Sequence, residues 1–497
     1  MAIRPAQSKP VGLQELFPQA ERDVAITGAT LDSRDVAPGW LYAALPGART
    51  HGAKFATQAI AAGAAAILTD AEGRRLVGDV DVPVVAVDDV RAVLGEAASR
   101  IFGDPTSKLK MFGVTGTNGK TTTVSLLAAA LRGTGSSVGT IGTIGFHLDG
   151  EELESNRTTV TTPEAIDLQA LFAVMAERGA DAVALEVSSH ALEFQRVGGI
   201  SFDAVGFLNL GHDHLDFHGT VEHYAAAKAK LFEPGRSKAA VFWVDDAYGR
   251  ELSERTREHT KTITVGTTGA DYILGEVRPH GRLGGVATVT RGGEELELRL
   301  SLPGKPNMID GAIALAMLES AGMPTNQALA ALEMAQVPGR MQQAILEEDA
   351  PLVIVDFAHT PQAVSGAVES LSKLGPVTTV LGCGGDRDAE KRPVMGRAAA
   401  LGSDLVIVTD DNPRTEEPAV IREAVRLGAE GHGAEVVEVD GRAKAIELAL
   451  ERTPKHGVVA ILGKGHERGQ ILADRVVEFD DVEVVRRTWG RMKEGTR

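Results

Sequence analysis

The strongest constraint on this chain lies between residues 110 and 130. An apolar run, Met111-Phe112-Gly113-Val114, leads into Gly116-Thr117-Asn118-Gly119-Lys120-Thr121-Thr122, and a helical pattern, Val124-Ser125-Leu126-Leu127-Ala128-Ala129, follows. That order predicts strand, glycine loop, helix. Small residues let backbone N–H groups approach a polyphosphate, and the helix N-terminus adds positive potential. Lys120 is placed to reach the terminal phosphates and Thr121 to hold Mg²⁺. The glycines at 113 and 116 depart from the strict phosphate-loop spacing, in which Val114 would be glycine. The expectation is an ATP-binding protein whose nucleotide contacts include Gly116, Thr117, Asn118, Gly119, Lys120, Thr121 and Thr122.

At 497 residues the chain exceeds what one core supports, so several domains are expected. A net charge of −17 argues against a nucleic-acid partner, which would call for a basic surface. An anionic small substrate is still compatible with it, through a local basic pocket. One cysteine, Cys383, excludes an internal disulfide and a cysteine-built metal site. The first ten residues hold no apolar signal core, and no apolar run is long enough to span a bilayer. A cytoplasmic, monomeric protein without a membrane partner is the expectation.

The sequence predicts an α/β protein in three parts. Residues 1–107 carry short strand-like runs at 41–45, 65–68 and 84–87, with helical stretches at 55–62 and 90–101. The breaker cluster Gly103-Asp104-Pro105-Thr106-Ser107 ends this part. Residues 108–338 begin with the phosphate loop and contain a second buried strand at 182–187, a β-rich patch at 273–302 and a helix at 311–320. Val337-Pro338-Gly339-Arg340 is the second linker. Residues 339–497 are the most regular. Apolar runs at 353–355, 377–381, 405–408 and 458–462 each end in a polar motif: Asp356-Phe357-Ala358-His359-Thr360-Pro361, Gly384-Gly385-Asp386-Arg387, Asp410-Asp411-Asn412-Pro413-Arg414 and Gly463-Lys464-Gly465-His466-Glu467. Open parallel sheets bind ligands beyond the carboxyl ends of their strands, so these four motifs mark a site.

Glu186 closes an otherwise apolar strand, where it can share Mg²⁺ with Thr121 or simply face solvent. The run His212-Asp213-His214-Leu215-Asp216-Phe217-His218 suggests a metallohydrolase cluster at first sight, but Phe217 interrupts the zinc spacing. The alternative is that one of these histidines assists Mg²⁺. In the next helix, expected over 221–232, Val221, Ala225, Lys228 and Phe232 share a face, with Tyr224 and Leu231 beside it. Lys228 is therefore aimed at the apolar side and Lys230 away from it. A lysine so placed is paired, neutralised, modified, or snorkelling to solvent.

Taken in order, Gly-Thr-Asn-Gly-Lys-Thr-Thr, Glu186-Val-Ser-Ser-His-Ala-Leu192, Asp213-His-Leu-Asp-Phe-His-Gly219, Ala226-Ala-Lys228 and the four strand-end motifs resemble the Mur ligases of peptidoglycan synthesis. The resemblance spans nearly the whole chain and points to the branch that adds the third residue of the stem peptide. It implies a small α/β domain for the UDP end, a central ATPase domain with a parallel sheet, and a Rossmann-like C-terminal domain. It implies ATP and Mg²⁺ as cofactors and a CO₂-derived carbamate on Lys228, which would join Thr121, Glu186 and His214 as metal ligands. With Lys120, the residues Glu186, His214 and Lys228 are its catalytic set. It implies that Leu31 and Ser33, within the segment around Asp32-Ser33-Arg34, lie near uridine. Thr161, Thr162, Ser188 and Arg196 would contact the sugar-peptide, and Asn307, Arg340 and Asp356 the nucleotide. Departures occur at Gly211-His212, at Gln362 and at Asp310, where the family commonly has Thr-Arg, Asp and Asn.

The implied partners are UDP-MurNAc-L-Ala-D-Glu, ATP and meso-diaminopimelate. Diaminopimelate differs from lysine by a distal carboxylate, whose recognition calls for a guanidinium. Arg414 offers one and Arg387 a second, while Glu467 and Gly463 are placed for the distal ammonium. Asp411, Asn412 and Pro413 complete the expected amino-acid site. The competing reading pairs Arg414 with Glu416 or Glu417.

Overall fold

A computed structural model describes residues 3–6, 9–47, 50–153, 161–211, 213–347 and 350–495. The first element group is a four-stranded parallel sheet, Gly28–Thr30, Trp40–Ala43, Ala66–Thr69 and Val84–Ala86, in that order. The helix Val90–Ile101 covers it. Asp89 caps that helix by accepting from the N–H groups of Arg91 and Ala92. Its Val90, Leu94, Ala97, Ala98 and Ile101 are buried at helical spacing in a core shared with Ile166, Ala170 and Ala173 of the helix Ala165–Glu177. Gly95 makes a close approach possible, since a Cβ there would lie 2.3 Å from the carbonyl carbon of Gly198.

The central sheet runs, in parallel neighbours, Val138–Gly142, Ala182–Glu186, Lys110–Thr115, Phe202–Phe207, Ser237–Trp243 and Lys261–Gly266. Its central strands are mostly apolar and buried, as expected of a parallel sheet covered on both faces. Lys110–Thr115 lies in the interior of this sheet, and Glu186 stands in register with Val114. The phosphate loop therefore rises between two strands whose carboxyl ends flank it. The helix Lys120–Gly133 follows it directly.

The described chain divides into two compact units, one reaching Ala335 and the other running from Gln336 onward, with Arg278–Gly285 and Ser301–Gly304 belonging to the second. The second unit holds a sheet ordered Gln342–Gln343, Leu352–Asp356, Val458–Leu462, Val377–Leu381, Leu405–Val408 and Glu435–Glu438, parallel except for its first strand. Alternation along these strands divides the core between two faces. Ile354, Leu381, Val406, Val408 and Ala460 belong to one cluster, and Val353, Val355, Val380, Ile407 and Ile461 to the other. The four strands that end in polar motifs are neighbours, so their motifs sit side by side.

Two elements differ from expectation. The helix expected over 311–320 begins at Gly304, with Pro306 in its first turn, where a missing N–H costs nothing. The helix expected over 221–232 is α-helical only over Val221–Ala229 and tightens to a 3₁₀ turn at Lys230–Phe232. Pro234 holds Glu233 in an extended conformation and so ends it. Among the described residues no helix is long and apolar enough to cross a membrane.

Candidate functional site

In the first unit, the phosphate loop is braced from outside. Asn118 and Asn209 exchange hydrogen bonds, N–H to Oδ1 at 2.9 Å and Nδ2 to the Asn118 carbonyl at 3.1 Å. Thr117 Oγ1 accepts from the Gly211 N–H at 2.8 Å and from the Tyr224 hydroxyl at 3.3 Å. Lys120 Nζ folds onto the loop and donates to the carbonyls of Gly116 and Thr117, each at 2.9 Å. Gly119 takes φ +90°, and Thr121 and Thr122 lie buried in the first turn of the helix.

Lys228 converges on the same loop. It is 1% exposed, donates to the Gly116 carbonyl at 2.8 Å and lies 4.4 Å from the centre of the Tyr224 ring. Burial, and then the charge of Lys120, push its pKa down to about 6, against a partial offset from Asp213. The amine is thus neutral at pH 7 and nucleophilic. Of the readings open for this residue, its burial rules out the snorkelling one. Lys230 points away, half-exposed, and pairs with Glu193.

Glu186 is buried at the end of its strand. Its carboxylate accepts from the Thr143 N–H at 2.9 Å and the Thr143 hydroxyl at 3.0 Å. A Cβ at Gly142 would lie 2.3 Å from Glu186 Oε1, so glycine there makes room for the side chain. The network continues outward. Thr161 Oγ1 meets Thr143 Oγ1 at 3.3 Å, and Thr162 donates to the Glu186 carbonyl at 2.8 Å and accepts from the Ser188 N–H. Ser188 caps the helix Ser189–Glu193. Arg196 donates to the Thr162 carbonyl at 3.0 Å and pairs with Glu164. The predicted residues Glu186, Thr161, Thr162, Ser188 and Arg196 thus form one connected group.

His214 is exposed, has a left-handed backbone with φ +52°, and packs its ring edge against His190. His212 lies outside the described residues. Among the described residues no three His, Cys, Asp or Glu side chains form a ready metal cluster. The expected Mg²⁺ set has a different make-up: a hydroxyl, a carboxylate, an imidazole and a carbamate, which suits an oxygen-preferring cation. In the N-terminal sheet region, Leu31 packs partly against the core, and Ser33 donates to Gln58 Oε1 at 3.0 Å. Asp32 forks onto Arg34, at 2.9 and 2.7 Å. Asn307 is half-buried on the helix Gly304–Ser320.

In the second unit, Asp356 accepts from the N–H groups of Met341 at 2.7 Å and Ala358 at 2.9 Å, and burial raises its pKa. Arg340 lies over the Phe357 ring at 5.0 Å. Beside them the strand-end motifs interlock around Lys464, which is 0% exposed. Its Nζ donates to Asn412 Oδ1 at 3.2 Å, Glu467 Oε2 at 3.2 Å and the Gly469 carbonyl at 2.6 Å. Asn412 Nδ2 in turn donates to Glu467 Oε2 at 2.7 Å. Asp411 is buried, 3.6 Å from the same amine, and burial holds its pKa up. Gly463, at φ +112°, passes close to the Asp411 carboxylate. Pro413 is buried and Arg387 is exposed.

Arg414 has φ +54°, uncommon for a non-glycine residue, and donates to the Gly385 carbonyl at 2.7 Å. Among the described residues it has no carboxylate within ion-pair distance. Glu416, the competing partner read from the sequence, is held instead by Arg392 at 2.8 Å. Gly384 leaves room for the guanidinium, since a Cβ there would lie 2.9 Å from it. Sequence reasoning gave no role to Lys464, Thr143, Asn209 or Arg442. Lys464 alone carried a signal, as the cation inside a strand-end motif.

A phosphate loop on a parallel sheet, followed by a second parallel unit with polar strand ends, defines a nucleotide-dependent enzyme of the phosphate-loop α/β class. Three family models match the chain: "Mur ligase family, catalytic domain" over residues 25–101, "Mur ligase middle domain" over 114–318, and "Mur ligase, glutamate ligase domain" over 339–465. The UDP-N-acetylmuramoyl-L-alanyl-D-glutamate–2,6-diaminopimelate ligase of Streptomyces coelicolor is 43% identical, over 97% of each chain. A solved structure of a ligase of that name aligns over 98% of this chain and 100% of its own, at 33% identity and a TM-score of 0.73. A MurF structure from Acinetobacter baumannii, at 19% identity and a TM-score of 0.63 over 97% of this chain and 99% of its own, shares the fold. The chain belongs to the Mur ligase family.

Proposed function

We propose that this chain is an ATP-dependent amide ligase that joins meso-diaminopimelate to the γ-carboxylate of D-Glu in UDP-MurNAc-L-Ala-D-Glu, in cytoplasmic peptidoglycan precursor synthesis. In this reading residues 1–107 hold the UDP end, 108–338 bind ATP, and 339–497 hold the amino acid, within a monomer. A γ-carboxylate oxygen attacks the terminal phosphorus of ATP, and the bond to ADP breaks. The diaminopimelate amine then attacks the acyl phosphate, loses a proton, and phosphate leaves as the amide forms. Lys120 follows the transferring phosphoryl group, while the loop N–H groups hold the adjacent phosphates. Lys228, neutral and buried, can add CO₂ through Nζ and release a proton to give a carbamate. Mg²⁺ held by Thr121, Glu186, His214 and that carbamate would offset charge on the phosphates. Thr143 orients Glu186 for the same purpose. Thr162, Ser188 and Arg196 line up beside it for the sugar-peptide, and Leu31 and Ser33 serve the uridine. Asn307, Arg340 and Asp356 serve the nucleotide.

The observation that carries the choice of amino acid is Arg414. Its guanidinium donates to one carbonyl, forms no ion pair with a carboxylate among the described residues, and belongs to the loop that presents Asn412 against Glu467. A ligand with a carboxylate and an ammonium at its far end complements that pair. A phosphate-release assay with UDP-MurNAc-L-Ala-D-Glu tests this, comparing meso-diaminopimelate, lysine and ornithine. Release should need both the nucleotide sugar-peptide and diaminopimelate. Equal or faster release with lysine removes the specificity assignment, and release without an amino acid removes the ligase reading.

A further inference from the structure

Two carboxylates belong to the loops around Arg414, and the reaction above uses neither. Asp386 lies in the loop after the strand Val377–Leu381, and Glu416 follows Arg414 in the loop after Leu405–Val408. Both are engaged elsewhere. Asp386 accepts from Thr415 with each oxygen, Oδ1 from the hydroxyl at 2.7 Å and Oδ2 from the backbone N–H at 3.1 Å. Glu416 Oε1 accepts from the Asp386 N–H and from Arg392, whose side chain is 4% exposed. Each loop therefore grips the other. The backbones close the same contact. The Gly385 N–H donates to the Asn412 carbonyl at 2.9 Å, and a Cβ at Gly385 would lie 1.9 Å from the Pro413 carbonyl oxygen.

The grip falls on the peptide units on either side of Arg414. Its own N–H donates to the Ile471 carbonyl at 3.0 Å, which holds the peptide plane before it. The Thr415 N–H, bound to Asp386, holds the plane after it. A peptide unit is planar, so fixing both planes fixes both backbone dihedrals of the residue between them. That matters here because Arg414 sits at φ +54°, a left-handed conformation that an arginine adopts only at a cost. Freed of the Thr415 tie, its backbone would relax and its side chain would leave from a different direction. The guanidinium is steered from the same turn, since Nη1 donates to the carbonyl of Gly385, the residue before Asp386. Asp386 is itself at φ +51°, which Asp, Asn and Gly tolerate better than other residues.

We propose that Asp386 is a positioning residue for amino-acid specificity. Through Thr415 it holds Arg414 in its left-handed conformation and aims the guanidinium at the distal carboxylate of the incoming amino acid. Both of its oxygens are taken by Thr415, so it does this without capturing the guanidinium itself. Glu416, taken by Arg392 and the Asp386 N–H, is kept off Arg414 in the same way. An arginine held like this offers its charge to a ligand rather than to its own chain.

The proposal rests on the diaminopimelate reading above, and the test separates the two. The readout is the preference of the full chain for meso-diaminopimelate over lysine, as a ratio of kcat/KM values, for single variants and again in an Arg414→Ala background. Asp386→Gly removes both acceptors yet keeps a residue at ease with positive φ, so it should lower the preference about tenfold, through KM for diaminopimelate. Asp386→Asn keeps one acceptor oxygen and Thr415→Val removes only the hydroxyl donor, so each should lower it about threefold. In the Arg414→Ala background none of the three should lower the preference further, because each acts through the guanidinium. KM for ATP and for UDP-MurNAc-L-Ala-D-Glu should stay within about twofold throughout. A merely structural role would slow both amino acids alike and would add to the Arg414→Ala loss. Full preference in Asp386→Gly, or an undiminished further loss in the Arg414→Ala background, overturns the proposal alone. Asp386 and Thr415 are exposed, so the variants should fold; if Asp386→Gly does not, Thr415→Val decides by the same two criteria. An unsubstituted chain that does not prefer diaminopimelate overturns the diaminopimelate reading and this proposal together.

Discussion

Lys228 is the residue at which local physics says most about chemistry. An ammonium buried to 1% exposure beside a second lysine is costly, so the group becomes an amine with a pKa near 6. The direction of pH dependence follows. Above about 6 the amine is free to take CO₂, and below it the proton blocks addition. Ligase activity should therefore fall on the acid side as pH drops through about 6, and added bicarbonate should help only above that point. Lys228→Ala should abolish turnover, and short carboxylic acids should restore part of it by standing in for the carbamate. Lys230→Ala should change little, since it breaks only an exposed pair with Glu193, and such pairs contribute about 0–1 kcal/mol. Steady-state rates of the two variants with and without formate or acetate check this. Equal loss at both positions contradicts the role given to the buried face.

At the scale of elements, the second unit has a fixed point between two of its helices. Arg442 opens the helix Arg442–Arg452, and Asp481 opens Asp481–Gly495. They form a two-pronged pair, both contacts at 2.7 Å, with both side chains 0% exposed, and Arg442 also donates to the Leu462 carbonyl. Removing one partner leaves a buried charge uncompensated, so Asp481→Ala should cost about 3–5 kcal/mol in urea unfolding of the second unit. Arg442→Met with Asp481→Ala should cost less than Asp481→Ala alone. A double variant that is no more stable than Asp481→Ala removes the argument from unpaired charge. This pair also marks where reading a sequence stops. The helix Val90–Ile101 and the strands Val377–Leu381, Leu405–Val408 and Val458–Leu462 occupy the residues expected of them, because apolar spacing is a local signal. So does the burial of Lys228, which one helix face predicts. Arg442 with Asp481, Thr143 on Glu186, and Lys464 between Asn412 and Glu467 join residues 39, 43, 52 and 3 positions apart. The three long-range contacts form only when the fold brings their elements together, and Lys464 with Glu467, though near in sequence, depends on the same strand-end geometry.

At the scale of the whole molecule, the fold does not choose the substrate. A MurF structure at 19% identity shares the fold, so the fold by itself does not name the substrate. The net charge of −17 makes the point sharper, because the chain as a whole repels anions and a carboxylate must be met by a local cation. In the proposed reaction Arg414 is the group for that task. A charge-assisted hydrogen bond contributes about 1.5–3 kcal/mol, with a two-pronged pair toward the upper end. Arg414→Ala should therefore lower kcat/KM for diaminopimelate by on the order of 10- to 100-fold or more, with KM for ATP nearly unchanged. Arg414→Lys should rescue poorly, because an ammonium cannot reproduce the planar fork. Lysine should gain relative to diaminopimelate in the alanine variant, since binding it no longer buries an unanswered guanidinium, although it need not become a good substrate. Competition between the two amino acids, read as the ratio of tripeptide products, measures this directly. An alanine variant that keeps the full preference for diaminopimelate shows that Arg414 does not set it, and the ligase reaction itself would still stand on the phosphate loop and Lys228.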